Sequence, residues 1–209
     1  MSKSKKKYAY VIALILIMIL FPYRGISFSR TPDVEEGDVI FQTSRSDQSP
    51  LIALVTHSPM THCGIIVMNK NMPYVLEASG TLRLTPLADF IKRGKAGAYW
   101  IKHRPKEWNA SKKIRYKHLL GRSYDLAFSF SNNRYYCSEL VYDIYLNQQG
   151  IQLCEPRKMN SYWLTSLPVV KKQMKRRGMN PDDLVVSPSD LFNSSKFGLA
   201  GKARSRTKS

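Results

Sequence analysis

The strongest periodic signal in this sequence begins at a cysteine. Cys137, Leu140, Val141, Ile144 and Gln148 fall at i, i+3, i+4, i+7 and i+11, with Tyr145 and Leu146 beside the stripe. That is the repeat of an amphipathic helix. Gly150 closes it as a left-handed C-cap, and Asn132 or Asn133 can cap its start. Such a helix must cover an apolar surface, and the residues that can supply one come earlier, as short β-branched runs.

Glu36-Gly37-Asp38 reads as a turn and Val39-Ile40-Phe41 as a short strand. Residues 42–60 are a loop with one helical turn at Leu51–Val55. Cys63–Met68 is a strand, Asn69-Lys70-Asn71 a turn, and Tyr74–Glu77 the return strand of a hairpin. Leu87–Arg93 is a short amphipathic helix ended by Gly94, Ala98–Lys102 a strand, and Lys106–Leu120 a polar helix closed by Gly121. Residues 151–180 are irregular and basic, with helix around Val169–Arg177. Val185-Val186 forms a last strand, and Ser189–Phe192 a last helical turn. The expected fold is α+β, a small, mainly antiparallel sheet packed against helices. There is no internal repeat, and 209 residues suit one domain.

Lys3, Lys5, Lys6 and Lys7 precede an unbroken apolar run of 14 residues, Tyr8–Phe21. A basic flank before about 7–15 apolar residues is the pattern of a signal peptide, and the run is short of the ~20 residues that span a bilayer. Residues 1–29 are therefore expected to be a signal peptide or an N-terminal membrane anchor, residues 30–195 the folded domain, and 196–209 a basic flexible tail. Export to the periplasm, or anchoring to the inner membrane, follows. The chain has 33 Lys and Arg against 15 Asp and Glu, net +18; without residues 1–29, 28 basic residues still face 15 acidic ones. No nucleic-acid-binding signature accompanies that charge, so nucleic acid is not an expected partner; the charge suits either an anionic envelope surface or simply a solvated basic surface.

Backbone N–H groups and the helix dipole stabilise a thiolate in a first helical turn, and the thiolate is the nucleophile. A cysteine on an apolar stripe also packs as an inert core residue, and the helix alone leaves both readings open. A thiol nucleophile needs a base. Of the four histidines, His103 and His118 sit in polar surroundings, while His62 opens a strand. Alternation puts His62 and Gly64 on one face and Cys63 on the other, so Cys63 reads as core, away from any site at His62. The small Gly64 leaves room for a substrate or a helix. Glu77 ends the return strand near His62, and the register, good to about one residue, makes it a candidate to orient the imidazole. Cysteines at 63, 137 and 154 have no zinc-ligand spacing, so neither a metal nor a cofactor is expected.

Gly37-Asp38-Val39-Ile40-Phe41, Thr61-His62-Cys63-Gly64-Ile65-Ile66, Leu76-Glu77-Ala78 and Tyr136-Cys137-Ser138-Glu139-Leu140-Val141 together resemble the YiiX/YaeF-type permuted papain-like hydrolases of the NlpC/P60 superfamily. The resemblance covers about residues 36–192 and implies a circularly permuted papain-like fold, the histidine strand first and the cysteine helix last. It implies Cys137 as nucleophile, His62 as base, Glu77 as the orienting residue and Tyr136 as a substrate contact. The implied activity is an exported cysteine peptidase or amidase working through an acyl-enzyme, with peptidoglycan peptides as the first substrate class. A lipid amidase, esterase or acyltransferase at the membrane surface, or a non-catalytic lipid- or wall-binding module, is the alternative. The lecithin:retinol-acyltransferase-like enzymes share the order His then Cys, but their Asn-Cys-Glu-His string is replaced here by Tyr-Cys-Ser-Glu. The basic stretch 151–180 is longer than the fold needs and suits a lid or a membrane-facing piece.

Overall fold

The computed structural model describes residues 32–130 and 132–198. The expected leader, residues 1–29, lies outside them, as does most of the expected tail. Five strands form one antiparallel sheet: β1 (Val39–Gln42), β2 (His62–Asn69), β3 (Met72–Ser79), β4 (Thr81–Pro86) and β5 (Trp100–Lys102), in the order β4-β3-β2-β1-β5. Lys70 and Asn71 form the β2–β3 turn, both at positive φ (49° and 60°), which matches the twist of a two-residue hairpin loop.

Strand alternation sorts the sheet into two apolar faces. Val39, Phe41, Cys63, Ile65, Val67, Leu76 and Ala78 pack beneath the Cys137 helix. Ile40, Ile66 and Val75 face the other way, against Leu87 and Phe90 of a short helix, Leu87–Arg93, and against Tyr99. In chain order the helices are α1 (Ser49–Thr56), α2 (Leu87–Arg93), α3 (Cys137–Asp143), α4 (Pro168–Arg176) and α5 (Pro188–Phe192). A two-stranded ribbon pairs β6 (Arg157–Lys158) with β7 (Leu184–Val185). Met159, Tyr162, Val170, Met174 and Val185 form a third cluster, with Leu51, Leu54 and Val55 of α1 packed against it. The basic stretch is thus mostly a folded wall beside α1.

Helix α3 carries the expected stripe, and its last turns, Ile144–Gln148, widen into a π-helix. Gly150 follows at φ 73° with its N–H on the Leu146 carbonyl. The cap at the start is Tyr136 rather than Asn132 or Asn133, and the Glu139 carboxylate accepts the Tyr136 N–H at 3.2 Å.

Three expectations need correction. Over Lys106–Leu120 the chain forms only a single 3₁₀ turn, Lys117–Leu119, where a polar helix was expected. Its buried residues Trp108, Ile114 and Leu119 are six and five positions apart, a spacing that gives no helical stripe. Its N–H groups go instead to side chains, Asn109 to Gln149, Ile114 to Glu36 and Arg115 to Gln148. Strand β4 was not expected at all. Finally, Phe197 is 7% exposed and packs its ring edge-on against Tyr145, so the folded part runs past residue 195.

Candidate active site

His62 is the first residue of β2, at the end of the sheet. Its ring stacks on Phe90 of α2, with centroids 5.6 Å apart. Its Nε2 meets Glu77 Oε2 at 2.7 Å, which leaves Nδ1 for a second partner. The Glu77 carboxylate is fully buried. Its other oxygen, Oε1, accepts hydrogen bonds from Thr85 Oγ1 (2.5 Å), Arg83 Nε (3.3 Å) and Arg93 Nη2. The carboxylate is therefore fixed on both sides and balanced by cations at the β4 and α2 surface.

Cys137 is the first residue of α3 and is 2% exposed. Its sulfur lies among the Cys63 thiol, the Cys63 backbone and the His62 ring, all of which bear on its ionisation. The hydrogen bond from Cys63 is the largest influence and lowers the Cys137 pKa well below the thiol range. Burial opposes it, and the His62 hydrogen bond and charge reinforce it. For His62, burial alone would lower the pKa. The hydrogen bonds to Cys137 and Glu77 and the charges of both outweigh it, and the imidazole is raised to about 9. For Glu77, burial pushes up, but His62, Thr85 and Arg93 pull the carboxyl down to about 2. The three shifts run in one direction, favouring a carboxylate at Glu77, a protonated imidazole at His62 and a thiolate at Cys137.

The structure thus brings Cys137, His62 and Glu77 together. Tyr136 stands beside them, 1% exposed, its hydroxyl accepting the Val186 N–H at 3.2 Å and its ring 5.0 Å from Phe128. Cys63 corrects the sequence reading. Alternation does put it opposite His62, but α3 packs on the Cys63 face, so the Cys63 thiol meets the Cys137 sulfur while His62 reaches it from the strand end. Burial and the neighbouring Cys137 raise the Cys63 thiol well above its usual range, so it serves as a proton donor. The space at Gly64 is also filled differently. A Cβ there would stand 2.4 Å from Val75 Cγ1, 2.9 Å from the Leu76 carbonyl oxygen and 3.3 Å from Glu77 Cβ. The gap admits β3 itself rather than substrate or a helix.

Sequence reasoning missed the residues that hold Glu77. Arg83 is its direct partner on β4 and Thr85 lies two positions on; the alternation of Leu82 and Leu84 was the signal for that strand. Two hollows flank the sulfur and the imidazole. One, about 90 Å³, lies against Cys137 and Tyr136 and is walled by Leu51, Val55, Phe128, Met159, Val170 and Met174. The other, about 700 Å³, opens at His62, is more polar than the first and carries the basic side chains of Arg45, Lys92 and Arg93. Ile52 of α1 lines both.

Residues 33–193 match the family described as permuted papain-like amidase enzymes, YaeF/YiiX, C92. The chain belongs to that family. It is a papain-like hydrolase of the amidase and cysteine-peptidase type, with the permuted α+β fold. The YiiX protein of Escherichia coli strain K12 is 36% identical over 174 residues, covering 80% of this chain and 86% of that protein. A crystal structure of yiiX from Escherichia coli O157:H7 superposes with a TM-score of 0.72 at 36% identity, covering 79% of this chain and 95% of that one. That protein is described as a metalloprotein. Among the described residues of this chain no three His, Cys, Asp or Glu side chains gather as a metal site. Both Glu77 oxygens are already bonded, and His62 and Cys137 face each other, so these residues do not fit a metal ion.

Proposed function

We propose that this hydrolase cleaves amides with an apolar acyl group, with Cys137 as nucleophile, His62 as acid and base, and Glu77 as the residue that orients His62. The observation that carries the roles is the buried 2.7 Å contact between His62 Nε2 and Glu77 Oε2 with Nδ1 left for Cys137. The Cys137 thiolate attacks the carbonyl carbon. The oxyanion is met by N–H groups at the start of α3. The imidazolium gives its proton to the leaving nitrogen, the C–N bond breaks and the amine departs. Water then adds to the thioester, its proton passing to His62, and the acid leaves as the thiolate is restored.

The acyl group bonded to sulfur must lie on the Cys137 side, and the hollow there is lined almost wholly by aliphatic, thioether and aromatic groups. Such a lining favours an alkyl or other apolar acyl group by burial, about 25 cal/mol per Å². It offers little to the carboxylates and amides near a scissile bond in peptidoglycan. Lipid amides therefore stand ahead of wall peptides as substrate. Peptidoglycan peptides remain the second reading, supported by the polar hollow on the His62 side. The lysine cluster abutting Tyr8–Phe21 supports work outside the inner membrane, where either substrate is met, and the basic domain suits an anionic envelope surface.

The test incubates purified lipid amides and peptidoglycan fragments with the wild type and with Cys137→Ala, read by mass spectrometry. Release of a fatty acid by the wild type alone supports the first reading. Release of a wall peptide alone reverses the order.

A further inference from the structure

An apolar hollow at Cys137 and a hollow with basic side chains at His62 flank the reacting groups. In amide cleavage the group that receives the proton from His62 is the leaving amine, so the amine must lie on the His62 side. The hollow there is lined by Arg45, Lys92 and Arg93, with Ser44, Ser79 and Ser123 among its polar wall residues. Among the described residues no Asp or Glu lines it. Arg93 is committed to Glu77. Arg45 and Lys92 are exposed and make no ion pair among the described residues. The amides of Gln42 and Gln48 line the same wall, and their carbonyl oxygens are buried without a hydrogen-bond partner. As acceptors, these oxygens suit an N–H of the substrate rather than its anion.

We propose that the leaving amine carries an anionic group, a carboxylate or a phosphate, held by Arg45 and Lys92 at the mouth of the His62 cleft. This rests on the acyl-amide reading above for which end of the substrate lies there. The reaction balances as before: the thiolate displaces the amine, the imidazolium proton leaves with it, and the anion stays ionised throughout. Its charge is met by two unpaired cations at the mouth of a cleft whose walls concentrate their field. Arg can hold either anion with two parallel hydrogen bonds, while Lys acts as a point charge.

Two measurements at low ionic strength test this. The first needs no substrate. The rates at which iodoacetate and iodoacetamide alkylate Cys137 are compared in the wild type and in the Arg45→Gln/Lys92→Gln double variant. The ratio of the anionic to the neutral reagent should fall about fivefold in the variant; an unchanged ratio overturns the proposal. The second compares kcat/KM for N-octanoylglycine with N-octanoylglycinamide, and for N-octanoyl-phosphoethanolamine with N-octanoylethanolamine. At least one anionic member should be preferred tenfold or more in the wild type, and the preference should collapse in the variant. Which pair shows it tells carboxylate from phosphate. Equal turnover within both pairs overturns the proposal and leaves the acyl-amide reading standing. No turnover of any amide, together with a fallen alkylation ratio, overturns the acyl reading and leaves the anion selectivity of the cleft.

Discussion

His62 and Glu77 meet on the diagonal of the β2–β3 ladder. The last direct pair is Ile65 with Leu76, and one step further sets Gly64, not His62, across from Glu77. A residue two positions from the direct partner stays on the same face and within reach of a long side chain. The imidazole therefore crosses above Gly64 to the carboxylate, and the missing Cβ at Gly64 lets β3 come close enough for the 2.7 Å contact.

Gly64→Ala tests that dependence. Its Cβ would collide with Val75 Cγ1 and the Leu76 carbonyl oxygen, and one of them is backbone. Overpacking of this kind costs about 1–3 kcal/mol. Denaturant unfolding should show a loss in that range, and kcat should fall as Glu77 is pushed from His62. A variant as stable and as active as the wild type would mean that β3 yields freely at this point.

Cys137→Ala and His62→Ala should each abolish turnover, while Glu77→Gln leaves a measurable remnant. Gln can still accept from the ring but cannot balance an imidazolium, and it leaves Arg83 and Arg93 without their carboxylate. The expected loss is on the order of 10²-fold, smaller than the roughly 10⁴-fold cost of the equivalent change in a serine triad, because a thiolate demands less basicity of its histidine. Groups acting as one unit are not additive. The Glu77→Gln/His62→Ala double should be no slower than His62→Ala alone. If it is slower by the full Glu77→Gln factor, Glu77 acts independently of His62.

Much of this site could be read from local pattern. Strands β2 and β3 announce themselves by β-branched runs around a turn, and Cys137 heads the one clear helical stripe. Setting His62 nearly opposite Glu77 was two residues off the observed ladder, in which Ile65 faces Leu76, and an offset of two keeps His62 and Glu77 on one face. A slip of one would have separated them. The apolar hollow beside Cys137 left no such trace. Its walls come from α1, the segment before Tyr136, residues 159–174 and the end of β7, joined only by tertiary packing. The proximity of Cys63 to Cys137 was hidden for a related reason: strand alternation gives the face of a residue but not which helix will cover it.

The three cysteines should separate sharply in labelling. The Cys137 thiol is lowered, whereas Cys63 is raised and burial lifts Cys154 to about 12. Limited iodoacetamide at neutral pH, followed by peptide mapping, should find Cys137 modified first. Cys63→Ala removes the thiol donor to Cys137 and should move the pH at which Cys137 becomes reactive upward. Labelling of Cys63 ahead of Cys137 would reject the nucleophile assignment.

The leader is tested apart from the fold. Residues 1–35 fused to a reporter active only outside the cytoplasm should give activity, the outcome expected of a lysine cluster followed by a 14-residue apolar run. A silent fusion with intact reporter in the cytosol would reject export.

The pH dependence of catalysis separates the two roles of the thiolate–imidazolium pair. His62 is raised from 6.5 to about 9 in the folded chain. Its contribution to stability is therefore fully present below pH 6.5 and is lost as pH rises through about 9. Glu77 runs the opposite way. Its carboxyl is lowered from 4.5 to about 2, so its contribution is present above 4.5 and lost as pH falls toward 2. Attack by sulfur needs the thiolate, which persists as pH rises, while departure of an amine needs the proton on His62. Raising the pH through 9 should therefore reduce kcat/KM for an amide while alkylation of Cys137 by iodoacetamide continues. Glu77→Gln removes one of the groups that raise the imidazole pKa and should shift the alkaline limb to lower pH. If alkylation and amide turnover decline together above pH 9, loss of the His62 proton is not what limits the reaction there.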